Sequence, residues 1–203
     1  MQITSIIKKQ FSSMLRDLKF CFPAIVVGVQ DLKYGFIDVQ PVVNKQFEDM
    51  EMEEEAIIYR VPIVYPSTSS SAITFPVKQG DGVLIEICDV DIESYVNGLK
   101  ETHDPLNYGL MVNENAVAHI GFNPYKESPL NTNNFKNQIS LNDLNISHNR
   151  NTDNEVVFSL TADGKVKCTA PNGVEVYTNK AVIEAEEIDA KSALVKTQGD
   201  VEI

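Results

Sequence analysis

Between residues 156 and 203 the chain alternates apolar and mostly polar positions in short runs. Val156, Phe158, Leu160 and Ala162 are followed by Val166, Cys168 and Ala170, and then by Val174 and Val176. A period of two gives each run one dry and one wet face, the mark of a strand buried on one side. Turn chemistry separates the runs at Asp163-Gly164, Pro171-Asn172-Gly173, Asn179 and Gly199-Asp200. Beyond Thr178 the beat continues in shorter pieces: Ala181, Ile183 and Ala185, then Ile188 and Ala190, Ala193 and Val195, and finally Val201 and Ile203. Strands this short, with Ala and Val as inward residues and no helix to cover them, cannot bury a useful core within one chain.

One sheet of a β-sandwich, or a single-chain parallel β-helix, also produces an alternating tail. A sandwich, however, needs inward side chains that span about 10 Å between sheets, and the Ala-rich stretch 181–195 does not supply them. Three copies sharing one axis would bury the inward residues together and consume the strand edges that otherwise invite aggregation. The pattern therefore predicts an intertwined trimeric shaft, a triple-stranded β-prism. Its axial core would comprise Val156, Phe158, Leu160, Val166, Cys168, Val174, Val176, Ile183, Ala185, Ile188, Ala190, Ala193, Val195, Val201 and Ile203.

The opening segment carries a different period. Ile3, Ile7, Phe11, Met14 and Leu18 recur at spacings of three and four, which predicts an amphipathic helix over residues 1–20. Thr4 and Ser5 are candidate N-caps, and Phe22-Pro23 marks the stop. That face either packs on its own domain or serves as a docking arm.

From Ala24 the texture is β, with strand candidates at 24–29, 36–43, 57–65 and 83–88, and an Ala-rich one at 116–121. Strands joined by turns, with so little helix, predict a small antiparallel barrel over residues 21–124. An Asn-rich connector, 125–154, would lead into the shaft at 155–203, making a mainly β protein in four parts.

The formal charge of -12 opposes binding to a phosphate backbone, whose affinity rests on cationic side chains. Much of the acid lies at Glu48, Asp49, Glu51, Glu53, Glu54 and Glu55, read as a solvated loop or strand edge, with an acidic docking patch as the alternative. Three cysteines, Cys21, Cys88 and Cys168, are too scattered to imply a disulfide framework or a zinc site. No apolar run is long enough to span a membrane, and charges interrupt the first twenty residues, so neither a transmembrane segment nor a signal peptide is expected.

Catalytic chemistry finds little footing. Glycoside hydrolysis needs two carboxylates flanking a cleft, whereas Glu86, Asp89 and Asp91 sit on or beside a strand whose neighbours alternate faces. His119, on an apolar strand, reads as a packed histidine. No phosphate-cradling glycine loop, nucleophile elbow or zinc-helix motif is present. No catalytic residue and no cofactor is expected.

The ordered landmarks resemble the central spike of contractile phage tails, in particular the small spikes with an OB-fold N-terminal domain and a trimeric β-helix. The resemblance begins at an N-terminal amphipathic helix, Phe22-Pro23-Ala24-Ile25-Val26 and Ile37-Asp38-Val39-Gln40-Pro41. It continues through Val61-Pro62-Ile63-Val64-Tyr65-Pro66, Phe75-Pro76-Val77 before Gly80-Asp81, Cys88-Asp89-Val90-Asp91-Ile92 and His103-Asp104-Pro105-Leu106. It implies a virion protein, assembled in the host cytoplasm into the tail baseplate as a homotrimer. Such a trimer sits below the tail tube, is held by hub proteins, and is driven through the host outer membrane on sheath contraction. Ile3, Ile7, Phe11, Met14 and Leu18 become candidates for docking to hub or tube.

The pattern departs from such spikes in one respect: they often end in an apex holding a metal through His-x-His. His103, His119 and His148 lie upstream without that spacing, so no metal is expected. Either an apex follows Ile203 or a separate conical tip protein caps the shaft. Two alternatives stand beside this reading. One is the spike of a related contractile injection system. The other keeps the OB-like barrel as a module for oligosaccharide or nucleic acid, using Tyr34, Phe36, Tyr59 and Tyr65, although the acidic balance opposes a nucleic-acid ligand.

Overall fold

Residues 24–28 and 36–41 alternate so that one face of each strand is buried and apolar, and these faces turn into the lumen of a closed barrel. The structure, a computed structural model, describes residues 20–46, 52–106, 108 and 112–188, together with positions 7, 11 and 191. The chain divides into two compact units, Met1–Asn134 and Phe135–Ile203.

The first unit holds β1 (Cys21–Gly28), β2 (Phe36–Pro41), β3 (Lys45–Gln46), β4 (Met52–Glu53), β5 (Ile58–Val64), β6 (Gly82–Ile87) and β7 (Ala116–Ile120). Five of these close a barrel in the order β1-β2-β5-β7-β6. Inward residues are small and aliphatic: Ala24 and Val26 from β1, Ile37 and Val39 from β2, Ile58 and Val61 from β5, Val83, Ile85 and Ile87 from β6, and Ala116 and Ala118 from β7. Branched side chains of this size fill a narrow lumen, as in other small barrels. A four-residue helix α1 (Glu93–Val96) lies in the connection between β6 and β7. β3 and β4 form a two-residue ladder apart from the barrel, with Met52 and Glu53 exposed, so the described end of the acidic stretch is a solvated strand edge.

The sequence implies an all-antiparallel barrel, and the structure corrects this. β1–β2, β2–β5, β6–β7 and β1–β6 are antiparallel, but β5 and β7 run parallel, with Ile63 opposite Ala118 and Val64 opposite His119. The reason is topological: an odd number of strands cannot alternate direction all the way around a closed ring. Periodicity reports which residues face inward but carries no information on strand direction.

The second unit is a three-stranded antiparallel sheet in the order β10-β9-β8, built from β8 (Leu144–His148), β9 (Val156–Leu160) and β10 (Val166–Thr169). β8 arises inside the stretch read from sequence as connector. Its period of two, Leu144 and Ile146 against Asn145 and Ser147, becomes a strand because β9 supplies the ladder. Among the described residues after Thr169, up to Glu187 and Ile188, there is no strand. Of the anticipated N-terminal helix, Ile7 and Phe11 are helical and exposed, while Ile3, Met14 and Leu18 lie outside the described residues.

Gly82 opens β6 with its backbone pressed against the chain leaving β7. A Cβ there would come within 2.3 Å of the Phe122 carbonyl oxygen, a backbone atom that cannot swing aside. We expect Gly82→Ala to destabilise the protein by about 1–3 kcal/mol, the usual cost of overpacking. A urea midpoint unchanged from the parent would contradict that reading of the barrel seam.

Candidate functional site: an apolar sheet face

Cross-strand register sorts the residues of the second unit onto two faces. Leu144 lies opposite Leu160, which lies opposite Val166; Ile146 lies opposite Phe158, which lies opposite Cys168; and His148 faces Val156. Residues directly opposite one another point the same way, so Leu144, Ile146, Val156, Phe158, Leu160, Val166 and Cys168 share one face. The other face carries Asn145, Ser147, Val157, Ser159, Lys167 and Thr169.

Burial runs against simple expectation. In the single chain the mixed polar face is partly covered, with Val157 and Ser159 buried and Lys167 and Thr169 exposed, while the apolar face is open. Leu144 and Ile146 are each 64% exposed, Val166 66%, and Phe158 39%. Contiguous exposed apolar surface of this kind marks an interaction site more often than an accident of packing.

The covered face owes its lid to the segment 137–143. The Asn145 side-chain amide donates to the Ser140 and Asp143 carbonyls at 2.8 and 3.1 Å, and its Oδ1 accepts from the Ser159 hydroxyl at 2.6 Å. The Asp143 carboxylate accepts from the Ala162 N–H at 3.0 Å. Between lid and sheet lies a cavity of about 250 Å³, bordered by Gln138, Asp143, Ser159, Lys167 and Thr169 among others.

Glu155, at the start of β9, locks this arrangement. Its buried carboxylate accepts backbone N–H groups from Lys136 at 3.0 Å, Asn137 at 2.7 Å and Asn151 at 2.7 Å. The turn it gathers is unusual, since Asn149 and Asn151 both adopt positive φ, a conformation Asn tolerates better than most residues. Burial pushes the Glu155 pKa upward, but the three N–H donors outweigh it and hold the group below its ordinary value. Asp153 pairs with Lys136 at the same corner, and the Arg150 guanidinium sits 5.7 Å from the Phe135 ring.

The sequence-derived shaft residues fall into three groups. Val156, Phe158, Leu160, Val166 and Cys168 come together on the open face. Val174, Val176, Ile183, Ala185 and Ile188 are exposed and outside any strand. Ala190, Ala193, Val195, Val201 and Ile203 lie outside the described residues. Leu144 and Ile146 belong to the same face and were missed. Their alternation was legible, but the abundance of Asn around them argued for a loop.

The acidic candidates do not converge. Glu86 accepts from or pairs with His119 at 2.8 Å on the barrel exterior. Asp91 holds its own loop, accepting N–H groups from Glu93 at 2.9 Å and Leu106 at 2.6 Å. Burial, helped by Glu86 and Asp89, raises the Cys88 thiol pKa. Among the described residues no three His, Cys, Asp or Glu side chains are grouped to hold a metal ion, and no helix is long and apolar enough to cross a membrane.

A small closed β-barrel followed by a three-stranded sheet with an exposed apolar face defines a mainly β protein. The family model described as the phage protein Gp138 N-terminal domain matches residues 15–121, more than half of the chain, and the chain belongs to that family. The match covers the whole barrel and ends before the second unit. It supports a structural role of the phage baseplate type. No curated protein matches the chain.

Because the folded-state pKa of Glu155 lies below its unfolded value, its stabilising contribution is fully present above the ordinary carboxyl range, near pH 4.5, and is lost as pH falls through the depressed value. Glu155→Gln should lower the urea midpoint at neutral pH, because its amide would turn a donor toward N–H groups that need an acceptor. The variant should also show a shallower loss of stability on acidification, read by circular dichroism.

Proposed function

We propose that the protein is the central spike of a contractile phage tail: a homotrimer that sits at the baseplate below the tail tube and pierces the host outer membrane when the sheath contracts. The observation that carries this reading is the open face of Leu144, Ile146, Val156, Phe158, Leu160 and Val166, which is left exposed among the described residues. Three copies meeting on one axis bury these faces together, in a heterologous ring closed by threefold symmetry. The tail from Val174 to Ile188 fits the same scheme. Its alternation is that of strands, yet among the described residues it has no strand to pair with, so its ladders would be made between chains in a trimeric β-helix.

Several observations favour this role over others. Family membership is that of a phage protein, and the five-stranded barrel suits the OB-type domain of small spikes. The function is mechanical and not enzymatic, with stiffness supplied by inter-chain hydrogen bonds and a shared core. Ile7 and Phe11, helical and exposed, are part of the arm that would dock to hub or tube. A separate tip protein or a further apical segment completes the point.

Native mass spectrometry should give three times the mass of one chain. Phe158→Asp or Val174→Asp would place three carboxylates around the axis, each costing several kcal/mol unpaired, and should abolish the trimer while leaving the barrel folded. Deletion of residues 1–20 should leave a folded trimer that fails to join the baseplate. A parent protein that runs as a monomer at all concentrations would overturn the reading.

A further inference from the structure

The three-stranded sheet presents two backbone edges as well as an open face, and the phase of its hydrogen bonds fixes what each edge offers. Where β9 turns toward β10, the Thr161 N–H donates to the Lys165 carbonyl at 2.8 Å. Alternate residues of a strand aim their N–H and C=O groups to the same side. Ser159 and Val157 therefore bond β10, through Lys167 and Thr169, while Leu160, Phe158 and Val156 bond β8, through Leu144, Ile146 and His148. The N–H and C=O groups of Asn145 and Ser147 point away from the sheet along one edge, and those of Val166 and Cys168 along the other. Among the described residues none of these groups has a backbone partner. Every residue of β10 is exposed, neither edge strand contains Pro, and both pair with β9 without a bulge. Edges of this kind are templates for another strand.

Phase and side-chain direction together decide which edges fit each other. On the β10 edge the outward-bonding residues, Val166 and Cys168, carry their side chains on the apolar face; on the β8 edge the outward-bonding residues, Asn145 and Ser147, carry theirs on the polar face. In an antiparallel ladder bonded residues sit directly opposite one another, so joining these two edges that way would set Cys168 against Asn145 and turn one apolar face outward. In a parallel ladder a residue bonds the two that flank its opposite number. Val166 or Cys168 then bridges Asn145 and Ser147 and sits opposite Ile146, apolar face beside apolar face. Direction agrees as well. β8 and β10 are each antiparallel to β9 and so run the same way, and rotation about an axis along the strands preserves that sense. Two-fold pairing of like edges also keeps the faces together, but it leaves the other edge of every copy open. A head-to-tail joint consumes both.

We propose that the β10 edge of one copy hydrogen-bonds in parallel to the β8 edge of the next, so that three sheets close into one ring with Leu144, Ile146, Phe158 and Val166 inside. The partner is a second copy of this chain, and the proposal rests on the trimeric reading above. What it adds is a backbone joint between copies. An apolar face alone accepts many partners, whereas strand addition fixes direction and register through main-chain hydrogen bonds. The segment 137–143 lies outside this ring, because its contacts with Asn145 and Ala162 are made on and beside the polar face.

Cysteine cross-linking of the full chain tests the joint. Cys21→Ser and Cys88→Ser leave Cys168 as the lone thiol, and Leu144→Cys, Ile146→Cys or His148→Cys then adds a second one on β8. Opposed positions in a ladder lie within disulfide range, so mild oxidation of at least one of these variants should give a covalent trimer on a non-reducing gel, with Cys168 linked to the β8 position. The protein with Cys168 alone can reach a covalent dimer and no further, and Asn145→Cys or Ser147→Cys, on the other face, should stop there too. Deuterium exchange on the unsubstituted protein is the second readout: the amides of Asn145, Ser147, Val166 and Cys168 should exchange at least about tenfold more slowly than unpaired amides. A native trimer in which those amides exchange freely, or whose trimeric variants give no covalent trimer, would overturn the joint and leave the spike reading standing. A protein monomeric at every concentration would overturn both.

Discussion

A β-sheet has two faces, and among the described residues of the second unit only one of them is covered. The second unit spends its covering segment, 137–143, on the face bearing Asn145, Val157 and Ser159, and fixes it with the Glu155 carboxylate and the Asn145 amide. Leu144, Ile146, Phe158 and Val166 are left to water. Covering the polar face from within is the more specific choice: hydrogen bonds fix one lid in one register, whereas an apolar face accepts any apolar partner of suitable shape. That division lets the sheet hold its shape while its apolar face stays exposed.

The barrel obeys a different constraint. Ring closure with five strands forces one parallel pair, and it falls at β5–β7. Every strand then has two neighbours, so the edges that the acidic surface would otherwise have to protect are gone. The irregular pairings are concentrated around Asp38 rather than spread evenly.

Much of this was legible in the sequence. The period-two runs at 24–29, 36–43, 57–65, 83–88 and 116–121 gave the five barrel strands within a few residues of their ends. Val156, Phe158 and Leu160 were assigned to one face, and the register with Val166 and Cys168 holds them there. Strand direction was not legible, because alternation is the same read in either sense. β8 was hidden by its Asn-rich surroundings, since Asn favours turns through its own side-chain hydrogen bonds and says little about the two apolar residues between. Nor did Glu155 stand out: one acid among many in the chain, it is distinguished only by three backbone N–H groups that folding brings around it.

On the proposed reading, the order in which these parts become stable follows from where their partners lie. The barrel and the β8–β10 sheet have their own ladder hydrogen bonds within one chain, so they can form before any encounter. The segment from Val174 to Ile188 has an alternating pattern but no strand partner among the described residues, and its ordering entropy, about 1–2 kcal/mol per residue for the backbone alone, would be met by contacts from other copies. The preformed apolar face reduces that burden. Docking of three such faces brings the tails together at high effective concentration, so pairing beyond Thr169 becomes a local event instead of a three-body search. A shaft built this way grows from a folded seed toward Ile203, and short Ala- and Val-lined strands that are too weak to nucleate alone become adequate when they only have to propagate.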